Sequence, residues 1–217
     1  MPLKLILANK AYSSWSLRPW ILLKHFNIPF DEVVIPMDQL DTRANMLKYA
    51  PNGKCPSLQD GRIAVWESLA IIEYVAEAYP ENPIWPRAKA ARAHARSLAN
   101  EMHAGFQALR QACPTNFRRE PRPIALSDEV QSDIARIENA WARARATFGR
   151  SGPFLFGKFS AADAMFAPVV NRFHAYDAPV AETTRAYMEA MMALPAWRAW
   201  IADAEAEPWR IDRYEQA

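Results

Sequence analysis

The sequence predicts a small α/β unit followed by an all-α helical bundle. Three observations carry this expectation. Short β-branched runs alternate with helical patterns through the first eighty residues. The proline-rich stretch "PENPIWP" (80–86) then interrupts the chain. Beyond it, alanine and leucine recur at helical spacing to the end, the pattern of a bundle.

The elements follow in order. "KLILA" (4–8) and "EVVIP" (32–36) read as strands, with a helix from about Ser16 to Phe26 between them. "PSLQDGRIAVWES" reads as two strands around Asp60-Gly61, a strong two-residue hairpin signal. "ESLAIIEYVAEAY" places Leu69, Ile72, Val75, Ala76 and Tyr79 on one helical face. The order β-α-β-(α)-β-β-α joins two parallel strands through a helix and then adds a hairpin and a closing helix. That is the plan of a thioredoxin-like unit. Residues 1–80 are therefore assigned to this domain, 81–88 to a linker and 89–217 to a helical domain. In the latter, one long helix is expected from Arg87 to Ala112, stopped by Pro114. Ser127 before Asp128 and Glu129 marks another helix start. "SAAD" (160–163) is a capping box, and Leu194-Pro195 separates two short final helices.

Composition narrows the function classes. Of the 217 residues 51% are hydrophobic and 23% charged, too apolar for a disordered chain. No run approaches eighteen apolar residues, and the N-terminal stretch is too short for a signal peptide, so a cytoplasmic protein off the membrane is expected. Cys55 and Cys113 make neither a disulfide framework nor a metal site. Net charge is +2, from 26 basic and 24 acidic residues, and the densest basic cluster is Arg118, Arg119 and Arg122. That is too little for a nucleic-acid footprint.

The joint after the first strand, "AYSSWSLRPWILLK" (11–24), holds three serines and two tryptophans. A thioredoxin-like oxidoreductase carries Cys-x-x-Cys here, and this chain has Ser13-Ser14-Trp15-Ser16. A resident dithiol is excluded, while the helix N-terminus would still favour a thiolate. A thiol would have to arrive with a ligand. Ser13 either caps the helix or faces that ligand. "NGKCPSL" puts Pro56 at the start of a strand, where a cis Cys55–Pro56 bond would expose the Cys55 backbone to an extended peptide. "WESLAI" puts Glu67 and Ser68 at a helix start, suited to an amine and a carboxylate. A small zwitterionic peptide bearing a thiol fits all three places.

Taken together, "SSWSLR", "NGKCPSL", "ESLAIIEYV" and "FSAAD" resemble the cytosolic glutathione transferases, in particular the bacterial serine-type and zeta-type enzymes. The resemblance covers nearly the whole chain. It implies glutathione as cosubstrate, no metal, a hydrophobic electrophile held partly by the helical domain, and a homodimer. By position it makes Ser13 the catalytic hydroxyl, with Ser14 and then Tyr12 as alternatives. Ser13, Trp15, Lys54, Cys55, Glu67, Ser68 and Gln107 would line the glutathione site. Trp15 stands where zeta enzymes keep a cysteine, which weakens a maleylacetoacetate-isomerase reading without touching glutathione binding. That isomerase and a non-catalytic transferase-like binding module are the two alternatives. Arg18 is read as structural, tying its helix to an acid, and Trp20 as packing. Cys55 and Cys113 are read as buried small apolar groups. His103 is read as an ordinary helix-face histidine, and part of the stripe Met102, Phe106, Leu109 and Cys113 should face the cleft between domains.

Overall fold

A computed structural model describes residues 2–215. Strand β1 (Leu3–Leu7) is central, flanked by β2 (Phe30–Val34) in parallel and β3 (Ser57–Asp60) antiparallel. Strand β4 (Ile63–Trp66) closes the hairpin, giving the order β2-β1-β3-β4. Gly61, at φ +57, supplies the left-handed turn residue that the hairpin needs. The period-2 alternation of β1 sorts its side chains: Leu3, Leu5 and Leu7 join the main core, while Ile6 and Ala8 pack with Ile35 and Met46 on the other face. Helices α1 (Ser14–His25) and α3 (Ser68–Ala78) cover the first face, and Met46 of α2 (Thr42–Leu47) covers the second. This is the thioredoxin-like plan. Strand β2 ends two residues earlier than expected because Pro36 has no N–H to extend the ladder, although the Ile35 N–H still reaches Leu7 O at 2.8 Å.

The helical domain comprises α4 (Lys89–Ala104), α5 (Gln107–Ala112), α6 (Asp128–Phe148), α7 (Ala161–Ala175), α8 (Glu182–Met192), α9 (Pro195–Ala206) and the single turn α10 (Asp212–Glu215). Helix α7 is its axis, buried along nearly its whole length and packed on both α1 and α4. Its capping box forms as expected, with Asp163 accepting from Ser160 N–H at 2.9 Å. Two helical expectations are corrected. Helix α1 starts at Ser14 because Ser13, not Ser16, is its cap. The single helix expected over Arg87–Ala112 is two helices. Phe106 sits in the left-handed region at φ 61, and Arg110 takes the carbonyls freed at the break. It donates to Gly105 O at 2.9 Å, to His103 O at 3.3 Å and to Met102 O. A Cβ at Gly105 would lie 2.9 Å from Glu101 O, so the close turn there requires glycine.

Candidate active site at the junction of the sheet and the bundle

The turn from β1 into α1 is built by serines. Ser13 Oγ accepts from Ser16 N–H at 3.3 Å and donates to Ser16 Oγ at 2.8 Å. Ser16 Oγ in turn accepts from Ala8 N–H at 3.0 Å. The Ser13 hydroxyl is thus the N-cap of α1, a role worth about 1 kcal/mol. Ser13 and Ser14 are both buried beside it. Tyr12 is committed elsewhere: its hydroxyl donates to Glu215 and accepts from Ile211 N–H at 3.3 Å. Burial, and then the Glu215 hydrogen bond, raise its pKa.

One turn on, Trp15, Lys54, Cys55, Glu67 and Ser68 share a cavity of about 240 Å³, together with Asn52, Pro56 and His103. Ser13, Ser14 and Gln107 lie outside its lining. Gln107 is the exposed first residue of α5, and its side chain donates to Ala104 O at 3.4 Å. The Cys55–Pro56 bond is cis, as expected. Burial pushes the Cys55 thiol up to about 12 and the Cys113 thiol up to about 11, so neither supplies a thiolate at neutral pH.

Glu67 and Ser68 form the polar end of the cavity. Glu67 takes φ +70 with ψ 127, a conformation that costs a side chain about 1–3 kcal/mol and persists only where its surroundings fix it. Its carboxylate accepts from Asn52 Nδ2 at 3.3 Å and lies 4.0 Å from His103 Nε2. Ser68 opens α3 and is 1% exposed, and its Oγ has no hydrogen-bond partner among the described residues. A buried hydroxyl at a helix N-terminus, beside a carboxylate held in a strained turn, presents a donor and an acceptor side by side. An amine and a carboxylate on one small ligand satisfy both.

The apolar end is set by Trp15. The guanidinium of Arg18 lies 3.9 Å from its ring centroid, that of Arg110 at 4.8 Å, and the His103 ring meets it edge-on at 5.2 Å. The expected acid partner of Arg18 is absent among the described residues. Fully buried, its Nε donates to Met165 O at 3.0 Å, so it ties α1 to α7 through a carbonyl. Burial, then Arg110 and Arg172, lower its pKa well below the usual value. His103 is also lowered, by burial first, then by Arg18, against the opposing pull of Glu67. The shift favours its uncharged form, and it faces the cavity, so its position goes beyond the ordinary helix-face reading. Asn52 was not separable from its turn in the sequence. Trp20 packs as expected, with Trp200 at 5.0 Å.

Known proteins share this fold and resemble this sequence in part. Models of the glutathione S-transferase N-terminal and C-terminal domains match residues 12–78 and 56–203. A probable maleylacetoacetate isomerase of Caenorhabditis elegans is 32% identical over 97 residues, covering 44% of each chain. A zeta-class glutathione S-transferase of Euphorbia esula is 31% identical over 115 residues, covering 52% of this chain and 51% of its own. The matched stretch thus spans about half the length of these curated relatives. In structure, a glutathione transferase homologue from Burkholderia with bound glutathione superposes with a TM-score of 0.71, at 23% identity, over 95% of this chain and 100% of that one. That likeness concerns the fold. With both family domains matched across most of its length, this chain belongs to the glutathione S-transferase family.

Proposed function

We propose that the chain binds glutathione in the Trp15–Ser68 cavity and reacts its thiolate with a small hydrophobic electrophile. The unpaired, buried Ser68 Oγ next to Glu67 carries this reading. It is the one buried hydroxyl of the cavity that lacks a partner, and the γ-glutamyl carboxylate and amine supply partners for it and for Glu67. The cysteinyl backbone would run past Cys55, with the sulfur toward the N-terminus of α1. The hydroxyl proposed there is that of Ser13, with Ser14 as the alternative. A serine is too weak a base to take the thiol proton, so its role is to donate a hydrogen bond to the sulfur, aided by the helix N-terminus. To do so Ser13 must redirect the hydrogen it gives to Ser16.

A thiol of pKa ~8.5 is ~3% ionised at pH 7, and a shift of ~2 units makes it mostly thiolate. Nucleophilicity falls with pKa at a slope of ~0.4–0.5, which leaves only about a threefold gain. Most of the acceleration must therefore come from holding the electrophile beside the sulfur. The helical domain supplies that wall, with residues 81–88 as the link between domains. Two chains forming a homodimer complete the proposed assembly. The match to a relative named as a maleylacetoacetate isomerase favours, as second reading, glutathione-dependent cis–trans isomerisation. Trp15 in place of the zeta-type cysteine argues against it.

Calorimetric titration with glutathione tests the main reading. Ser68→Ala should weaken binding by about 1.5–3 kcal/mol, the value of a hydrogen bond to a charged group. Equal affinity in the wild type and the Glu67→Ala, Ser68→Ala double variant would sink it.

A further inference from the structure

We propose that His103 gates the Glu67 end of the cavity by its charge: the neutral ring leaves the carboxylate to a ligand ammonium group, and the imidazolium takes the carboxylate itself. The inference rests on the reading of this cavity as a glutathione site, and it makes the proton a regulator of that site.

Glu67 has one oxygen to offer. Its Oε1 already accepts from Asn52 Nδ2 at 3.3 Å, and its Oε2 lies 4.0 Å from His103 Nε2. That separation becomes an ion pair once the ring is charged, and His103 is the one histidine so placed against an acid among the described residues. Both groups are carried on fixed backbone, Glu67 at the N-cap of α3 and His103 in the last turn of α4. The ring rests edge-on against Trp15, yet its side chain is 31% exposed, so protons reach it from solvent.

The charges around the ring set its preference. Arg18 of α1 and Arg110 of α5 oppose protonation, and Glu67 favours it. Helices α6 and α7 also pack on α4 but bring no charge that acts on the ring. Lys54 shares the cavity lining and adds another cation there. Burial, the largest influence, sides with the two arginines, so the ring charges only below its ordinary 6.5. Its Nδ1 is buried without a hydrogen-bond partner, so among the described residues Glu67 is the acid that stabilises a second proton.

A γ-glutamyl ammonium seated at Glu67 therefore meets one of two neighbours. Beside the neutral ring it pairs with Oε2. Beside the imidazolium, two cations would share one oxygen. At about 4 Å they disfavour each other about fivefold in bulk water, and more strongly in a half-buried cavity. Protonation of His103 and binding of the amine thus oppose each other, and the bound ligand expels the proton.

The probe is S-methylglutathione, which has no thiol and no group that titrates between pH 5 and pH 7. Calorimetric titration of the full chain should show binding about threefold weaker, or worse, at pH 5 than at pH 7. At pH 6, buffers of different ionisation enthalpy should reveal protons released on binding. His103→Gln should lose both the acid weakening and the proton release. His103→Lys, with a fixed cation, should bind about fivefold more weakly than His103→Gln at both pH values. The same probe without its α-amino group should bind the wild type no more weakly at pH 5 than at pH 7. Equal wild-type affinity at the two pH values, an acid loss that persists in His103→Gln, or the same acid loss for the amine-free probe would each overturn the gate alone. No binding of S-methylglutathione at pH 7 would instead overturn the glutathione reading, and the gate with it.

Discussion

Replacing Asp163 by asparagine should remove a pH dependence of folding that this one carboxylate imposes. Asp163 is fully buried at the start of α7. Its Oδ1 accepts from Leu155 N–H at 3.0 Å and Tyr187 O–H at 3.1 Å; its Oδ2 accepts from the Ser160 N–H and hydroxyl, both at 2.9 Å. These bonds favour the charged form, but burial outweighs them and pushes the carboxyl up from 3.8 to about 6. Between those values the folded chain holds a proton that the unfolded chain has released. The group's contribution is thus fully present below about pH 4, declines as pH rises to about 6, and is then constant. At about 1.4 kcal/mol per unit, the loss across that window is about 3 kcal/mol. Asparagine does not titrate there, and its NH₂ must face one of the buried N–H donors, at a cost of about 1–3 kcal/mol. The stability deficit of Asp163→Asn should therefore be largest near pH 4 and shrink by about 3 kcal/mol by pH 7. Urea unfolding followed by circular dichroism from pH 4 to 8 measures it, and the difference between variants cancels all other titrations. A deficit that stays constant across the range would refute the reasoning.

Glu67 and the two thiols yield further expectations. Because Glu67 sits at φ +70, Glu67→Gly should be more stable than Glu67→Ala by about 1 kcal/mol, the reverse of their usual order. Thermal melts that rank alanine above glycine would show that the turn carries no strain. With thiols at about 12 and about 11, Cys55 and Cys113 should react with iodoacetamide at pH 7 at least about 100-fold more slowly in the folded chain than in urea. Peptide mapping that finds either one alkylated at the free-thiol rate would contradict the raised pKa of the half-buried Cys55 or the buried Cys113.

Elements written in local chemistry were legible in the sequence. Asp60-Gly61 specified its hairpin, Ser160 and Asp163 their capping box, and Pro195 the first turn of α9. The break between α4 and α5 is marked locally by Gly105 alone, too weak a signal in an alanine-rich helical run, and the rest of it depends on Arg110 reaching back to three carbonyls. In the site, Glu67 and Ser68 could be found from their place before a helical run, and Cys55 from the proline after it. His103 and Asn52 could not. They enter the cavity only when α4 and the turn before β3 are folded against α3, a long-range placement that spacing does not encode. The partner of Arg18 was misjudged for a related reason. A buried guanidinium suggests an acid, yet a carbonyl of α7 serves it, and only the packing of α1 on α7 reveals which.

The tie between the C-terminal segment and the first loop bears on the order in which the chain becomes native. Glu207 accepts from the main-chain N–H groups of Lys10 at 2.7 Å and Ala11 at 3.1 Å, and Asp203 pairs with the Lys10 ammonium. Arg118 donates to the carbonyls of Ala204, Glu207 and Trp209, and Tyr214 stacks on Tyr12. The acceptor for the Lys10 and Ala11 main-chain N–H groups is translated nearly two hundred residues after them, although Glu32 is at hand for the Lys10 ammonium much earlier. A nascent chain that has already formed its sheet must keep the loop beneath α1 incompletely bonded until that distant stretch leaves the ribosome. Closing such a long loop is entropically costly and slow, so the joint that orients α1 matures last. An abbreviated translation product would hold a formed sheet while the approach to its serines stayed loose.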